Sequence, residues 1–211
     1  MNVLVTGFDA FGSHGINPTE KIVKLLPKSI NDHSIHTIVL PTIQYQCIEQ
    51  LMEQVNSQAY DVILMLGQAG GIADFHVERV AINMDDFRIA DNQNNQPIDS
   101  PIYHDGESAY FSTLPIKKIV KTLNDSGYNA SISNSAGTFV CNHLFYGCAY
   151  NIHKQHKETR YGFIHVPFET SQTSKDQASL PLQTMVDAII LTIKTILDTN
   201  QDIHESGGLE F

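Results

Sequence analysis

Positive charge is scarce in this sequence. Of 211 residues only 13 are Lys or Arg, against 23 Asp and Glu, which gives a formal net charge of −10. With no basic cluster anywhere, a nucleic-acid surface is excluded. Long apolar runs are also missing. None approaches the roughly 18–20 residues that a membrane span needs, so no membrane partner is expected. No positive region followed by an apolar core opens the chain, so no secretory signal is expected either. Cysteine is limited to three, an odd number without paired spacing. That fits a reducing compartment rather than a disulfide framework, and the expectation is a cytoplasmic protein. The glycine loops lack both the Gly-x-Gly-x-x-Gly pattern of dinucleotide binders and the Gly-Lys-Ser/Thr of a phosphate cradle. Charged residues make up only 17% of the chain, which leaves room for a weakly charged face buried in an oligomer.

What is present alternates strand with helix. Asn2 to Thr6 reads as a buried strand ending in Gly7-Phe-Asp-Ala-Phe-Gly12, and Asn17-Pro-Thr19 opens a helix through about Leu26. Ile35 to Leu40 is a second strand, Ile43 to Asn56 an amphipathic helix, and Asp61 to Leu66 a wholly apolar third strand that stops at Gly67-Gln-Ala-Gly-Gly71. His76 to Met84 alternates like one strand. The aperiodic stretch from Ile89 to Gly106 suggests a functional loop or an interface arm. Leu114 to Leu123 is a helix, Arg160 to Val166 a strand, and Leu182 to Leu197 the last long helix, after a Ser/Thr/Gln-rich loop. The tail from about Thr199 is expected to fray. Short links between alternating elements predict one domain over 1–211, a three-layer α/β/α arrangement around a twisted mixed, mostly parallel sheet.

Ser131 to Tyr150 is the stretch with most chemistry in it. Ala130 to Ser133 reads as a strand end, Asn134 to Gly137 as a tight turn, and Thr138 as the N-cap of a helix carrying Phe139, Val140, Leu144, Phe145 and Ala149 at helical spacing. Cys141 then falls in the first helical turn, where the helix dipole and unpaired N–H groups favour a thiolate and can hold an oxyanion. The competing reading is a small buried hydrophobe, which is how Cys47 and Cys148 are read. His165 ends a strand, and Glu78 sits among apolar neighbours and needs a partner. A thiol, an imidazole and a carboxylate gathered at one sheet edge would make an activated nucleophile. Gln68, at a strand's carboxyl end, is a candidate ligand contact. Phe8 and Phe11 could wall a slot for a flat ligand. Asp85-Asp86 lacks a third ligand at metal spacing, so neither metal nor cofactor is expected.

These segments, in order, carry a resemblance. Val5-Thr-Gly-Phe-Asp-Ala-Phe-Gly12 with Asn17-Pro18, Gly67-Gln-Ala-Gly-Gly71, Glu78-Arg-Val-Ala-Ile-Asn83, Asp85-Asp-Phe-Arg-Ile89, Ser133-Asn-Ser-Ala-Gly-Thr-Phe-Val-Cys-Asn142 and Phe163-Ile-His-Val-Pro167 resemble the pyrrolidone carboxyl peptidases (pyroglutamyl peptidase type I) from residue 2 to about 168. The resemblance implies a cysteine exopeptidase acting on peptides with an N-terminal pyroglutamate. Cys141 would be the nucleophile, His165 the base and Glu78 the orienting carboxylate. Phe8, Phe11 and Phe139 would line the ring slot, Asn17 and Gln68 would lie near the lactam edge, and Arg88 near the oxyanion pocket. It also implies a homotetramer. Ala10 and Thr19 stand where the family often has Pro and Ser. Two rival readings are a nucleoside phosphorylase-like enzyme on a similar sheet, which would need phosphate-binding arginines, and a non-catalytic protein that binds pyrrolidone ligands.

Overall fold

A computed structural model describes residues 1–12, 15–173 and 176–208. In chain order its elements are β1 (Asn2–Phe8), α1 (Pro18–Leu25), β2 (Ser29–Ile30), β3 (His33–Leu40), α2 (Gln46–Ser57), β4 (Val62–Gln68), β5 (Phe75–Glu78), β6 (Val80–Ile82) and β7 (Ala109–Phe111). They continue with α3 (Ile116–Asp125), β8 (Ala130–Ser133), α4 (Val140–Lys154), β9 (Arg160–Val166), β10 (Phe168–Glu169), β11 (Ser179–Leu180) and α5 (Leu182–Asp198). Seven strands form one sheet in the order β2-β3-β1-β4-β9-β5-β8. The pairs β1–β3, β1–β4, β4–β9 and β5–β8 are parallel, while β2–β3 and β5–β9 are antiparallel. The sheet is thus mixed and mostly parallel, as expected.

The period-2 alternation of the central strands explains the layers. Val3, Val5, Leu64, Leu66, Ile164 and Val166 pack with α1, α3 and α5 on one face. Leu4, Ile63, Met65, Tyr161 and Phe163 pack with α2 and α4 on the other. β4 is buried along its whole length, which is why it reads as an unbroken apolar run. Odd and even positions therefore settle which face each site residue uses. Gly67, His165 and Glu78 fall on the α2/α4 face, and Gln68 falls on the opposite one.

Three local expectations are corrected. The stretch from His76 to Met84 is two strands, because the chain leaves the main sheet at Arg79, and β6 pairs instead with β7. The Arg79 guanidinium is held by Asn134 Oδ1 at 2.8 Å and by the Gly207 carbonyl. Thr138 does not cap α4: its hydroxyl donates to the Asp86 carbonyl at 2.8 Å, and Phe139 takes the cap position with no side-chain hydrogen bond. His153 shares a helix face with lysines, which predicts a solvated ring; it instead bonds Tyr161 Oη at 2.8 Å and stacks on Tyr110.

The segment after α5, read as a frayed tail, makes definite contacts in its described part. Asp202 accepts from the backbone N–H groups of Lys117 and Lys118 at 2.9 and 2.8 Å. It caps α3 in place of Pro115, which has no side-chain oxygen to offer. Residues 209–211 lie outside the described residues. Among the described residues no helix is long and apolar enough to cross a membrane.

Candidate active site

Four elements supply the site. β9 brings His165 to its penultimate position, and β4 lays Gly67 directly beside it in register. β5 runs antiparallel on the other flank of β9 and places Glu78 opposite Phe163. α4 crosses this face with Cys141 in its first turn. β8 is parallel to β5 and so antiparallel to β9. The turn 134–139 therefore has to carry the chain back over the sheet before α4 begins.

The approach is close. A Cβ built on Gly67 would lie 2.7 Å from Cys141 Sγ and 2.6 Å from Phe163 Cζ. Only a bare backbone lets the sulfur sit against β4 at this level. Cys141 is half-buried, whereas Cys47 and Cys148 are fully buried. Burial pushes the Cys47 thiol well up and the Cys148 thiol up to about 12, so both are inert. Cys47 nonetheless lies in the first turn of α2 rather than deep in a helix as its spacing suggested; position at a helix start does not activate a thiol that has no partner.

His165 Nδ1 is 2.7 Å from Glu78 Oε1, with both residues buried. A Nδ1–H donating to the carboxylate leaves Nε2 as the ring nitrogen free to serve Cys141. Burial opposes charge on the imidazole. The negative sulfur of Cys141, the hydrogen bonds to Cys141 and Glu78, and the Glu78 charge outweigh it and raise His165 to about 10. The arrangement favours an imidazolium beside Cys141. No side chain caps α4, so its first-turn N–H groups stay available beside the sulfur for an oxyanion.

The remaining predicted residues divide. Phe11 and Phe139 are half-buried, with ring centroids 5.8 Å apart. Phe139 also meets Phe87 edge-on at 4.8 Å. Phe8 is 2% exposed and belongs to the core behind them. Asn17 caps α1: its Oδ1 accepts from Thr19 N at 3.1 Å and Thr19 Oγ1 at 2.8 Å, and its Nδ2 donates to Asp9 O at 2.9 Å. Its amide is largely engaged within its own loop. Gln68 is 7% exposed at the rim of β4, and its Oε1 accepts from Gln172 Nε2 at 2.9 Å. Arg88 is exposed, and its guanidinium makes no ion pair among the described residues.

Sequence reading missed the supports beneath this site. Asn142, next to the cysteine and wholly buried, binds both the N–H and the carbonyl of Ile82 and the carbonyl of Met84. It fastens the first turn of α4 to β6. Asp85, weighed above as a possible metal ligand, lies 2.8 Å from His143 Nδ1, and both are fully buried. His143 Nε2 accepts from Tyr45 N at 2.9 Å, tying α4 to the start of α2. The 89–106 stretch is anchored through Asp91. Burial raises its carboxyl, but hydrogen bonds from Gln44, Asn95 and Gln93 outweigh that and lower it. A polar residue inside an apolar helical stripe, as Asn142 and His143 are, was the signal available. A cavity of about 630 Å³ opens at the amino ends of the central strands beside Tyr60, Asp61, Lys157 and Arg160. It contains none of the candidate residues.

The family described as Pyroglutamyl peptidase matches residues 1–199. A pyrrolidone-carboxylate peptidase of Fusobacterium nucleatum is 48% identical over 208 residues, 98% of this chain and 97% of the relative. One from Bacillus cytotoxicus is 49% identical over 209 residues, again 98% and 97%. Among solved structures, pyroglutamyl peptidase I from Bacillus amyloliquefaciens superposes with a TM-score of 0.93 at 40% identity, covering 97% of this chain and 99% of that one. The pyrrolidone carboxyl peptidase from Thermococcus litoralis gives 0.93 at 34% identity, with the same coverage.

Proposed function

The chain belongs to the pyroglutamyl peptidase family and removes an N-terminal pyroglutamyl residue from peptides, and we propose that Cys141, His165 and Glu78 carry out that hydrolysis. The observation that carries the assignment is the buried Glu78–His165 hydrogen bond, with His165 paired in register to Gly67, the glycine that Cys141 Sγ lies against. The Cys141 thiolate attacks the pyroglutamyl carbonyl carbon, and the carbonyl oxygen takes up negative charge facing the first-turn N–H groups of α4. The C–N bond then breaks as the imidazolium gives its proton to the leaving amine, which departs as the shortened peptide. The remaining thioester is hydrolysed by a water whose proton passes to the now neutral His165. Free pyroglutamate leaves, and the thiolate–imidazolium pair is restored. Glu78 keeps the ring in the tautomer and orientation that both halves need.

Recognition follows from the substrate's lack of a charged amine, since its nitrogen is closed into a lactam. Flat apolar walls suit the ring, and Phe11 and Phe139 supply them with Phe8 packed behind. A neutral amide at the rim suits the lactam, and Gln68 holds that place, while Asn17 fixes the neighbouring loop. Arg88 lends positive charge to the mouth. The protein works in the cytoplasm, a location its three free thiols support, and it does so as a homotetramer.

The test compares hydrolysis of a pyroglutamyl reporter amide with that of the matching prolyl compound. The expected result is turnover of the first alone, abolished in Cys141→Ala. Undiminished turnover by Cys141→Ala would overturn the mechanism.

A further inference from the structure

A chain of hydrogen bonds leads away from Gln68 on the side opposite the cysteine, and it determines which end of the Gln68 amide is free. The chain starts at Glu169, whose backbone N–H donates to Gln172 Oε1 at 2.8 Å. Because an N–H donates only to an acceptor, the atom it meets is the Gln172 oxygen. The other end of that amide is therefore NH₂. It donates to the Ile16 carbonyl at 3.0 Å, a group that can only accept. Its second contact, 2.9 Å away on Gln68, is then an acceptor too and must be Gln68 Oε1. Two backbone groups of unambiguous character thus fix both amides.

What remains is the Gln68 NH₂. It has no protein partner among the described residues, and it is not one of the sealed, unsatisfied atoms of the interior. A residue only 7% exposed thus keeps one donor group without a partner among the described residues, at the end of β4 and one residue from the glycine that Cys141 Sγ lies against. An NH₂ held there prefers an acceptor. The pyroglutamyl lactam offers one, its ring carbonyl, where a prolyl ring offers none.

We propose that Gln172 is a positioning residue for substrate selection: by engaging Gln68 Oε1 it holds the Gln68 amide with its NH₂ toward the cleft, so that the enzyme recognises the lactam carbonyl. The inference rests on the reading of Gln68 as the lactam contact. The 3-10 turn Thr170–Gln172 is built for the task, since the Glu169 side chain and the Gln172 side chain cap it reciprocally. Lys21 braces the same turn through Glu169 at 2.7 Å without touching Gln68.

Gln172→Glu separates this role from mere support. A carboxylate still accepts from Glu169 N but turns Gln68 over, attracting its NH₂ and presenting Oε1 to the substrate. KM for the pyroglutamyl amide and the inhibition constant of 2-pyrrolidone are expected to rise about tenfold or more, with kcat and the rate of Cys141 alkylation by iodoacetamide near wild type. Gln172→Leu, which leaves Gln68 able to turn either way, should raise KM only a few-fold. Lys21→Met, which loosens the turn alone, should leave KM unchanged. Equal losses in Gln172→Glu, Gln172→Leu and Lys21→Met would reduce Gln172 to a brace and overturn the proposal. If Gln68→Leu raises KM while Gln172→Glu does not, the positioning role falls and the lactam contact stands. If neither changes KM, the lactam is held elsewhere and both fall.

Discussion

Three cysteines lie in two helices of this protein, and their surroundings give them different chemistry. Cys47 and Cys148 are sealed in the core, where a thiolate would be unsolvated. Cys141 faces an imidazole that is itself backed by a buried carboxylate. Since the folded-state value of His165 lies above its ordinary one, proton binding here stabilises the fold. That contribution is full below about pH 6.5 and is lost as the pH rises through about 10. In the mechanism proposed above the leaving amine takes the same proton. We therefore expect kcat/KM to fall on an alkaline limb near pH 10, and the limb to move to lower pH in Glu78→Gln, which removes the supporting charge. A pH–rate profile checks this; an unmoved limb in Glu78→Gln would mean that His165 is charged by other groups.

At the scale of elements, the site is a contact between a helix start and a strand. α4 can press its first turn against β4 because residue 67 has no side chain, and Asn142 keeps that turn from sliding by bonding β6. Gly67→Ala would insert a methyl group 2.7 Å from the sulfur, so either the helix or Phe163 must shift. A displacement of about 1 Å at a reacting group costs on the order of 10²-fold in rate. The expected outcome is a loss of that size in kcat, with a much smaller change in KM, read by steady-state kinetics on a pyroglutamyl amide. Full kcat in a folded Gly67→Ala would show that the close approach is not needed. α3 shows the same dependence between distant parts, since its N-terminal N–H groups are answered by Asp202, 85 positions away in sequence from Lys117.

At the scale of the molecule, two helical layers enclose a sheet whose alternating residues divide into two cores, and Gln68 takes the face opposite Gly67, His165 and Glu78. Ile98 and Phe111, 70% and 65% exposed, are large apolar side chains left in water by a single chain. Association between copies would cover such residues. The proposed tetramer predicts a solution mass near four times the 23.5 kDa of one chain, measurable by light scattering. A mass of one chain at working concentration would contradict it.

Periodicity and turn chemistry act over a few residues, and what depends on them was legible in the chain. β8 and β9 begin and end where their patterns do, β4 is the buried strand its apolar run announces, and Asn17-Pro18 starts α1. The candidate triad was legible too, because a thiol at a helix start, a histidine at a strand end and a lone carboxylate among apolar residues are each locally odd. Packing across the sheet decided the rest. The break at Arg79 follows from where β7 lies, and the reversal before α4 from the direction of β8 beside β9. Which end of the Gln68 amide is free depends on two backbone groups from distant segments. A sequence orders its neighbours along the chain, but a hydrogen bond between residues 68 and 172 exists only once the sheet and the loops over its rim have closed.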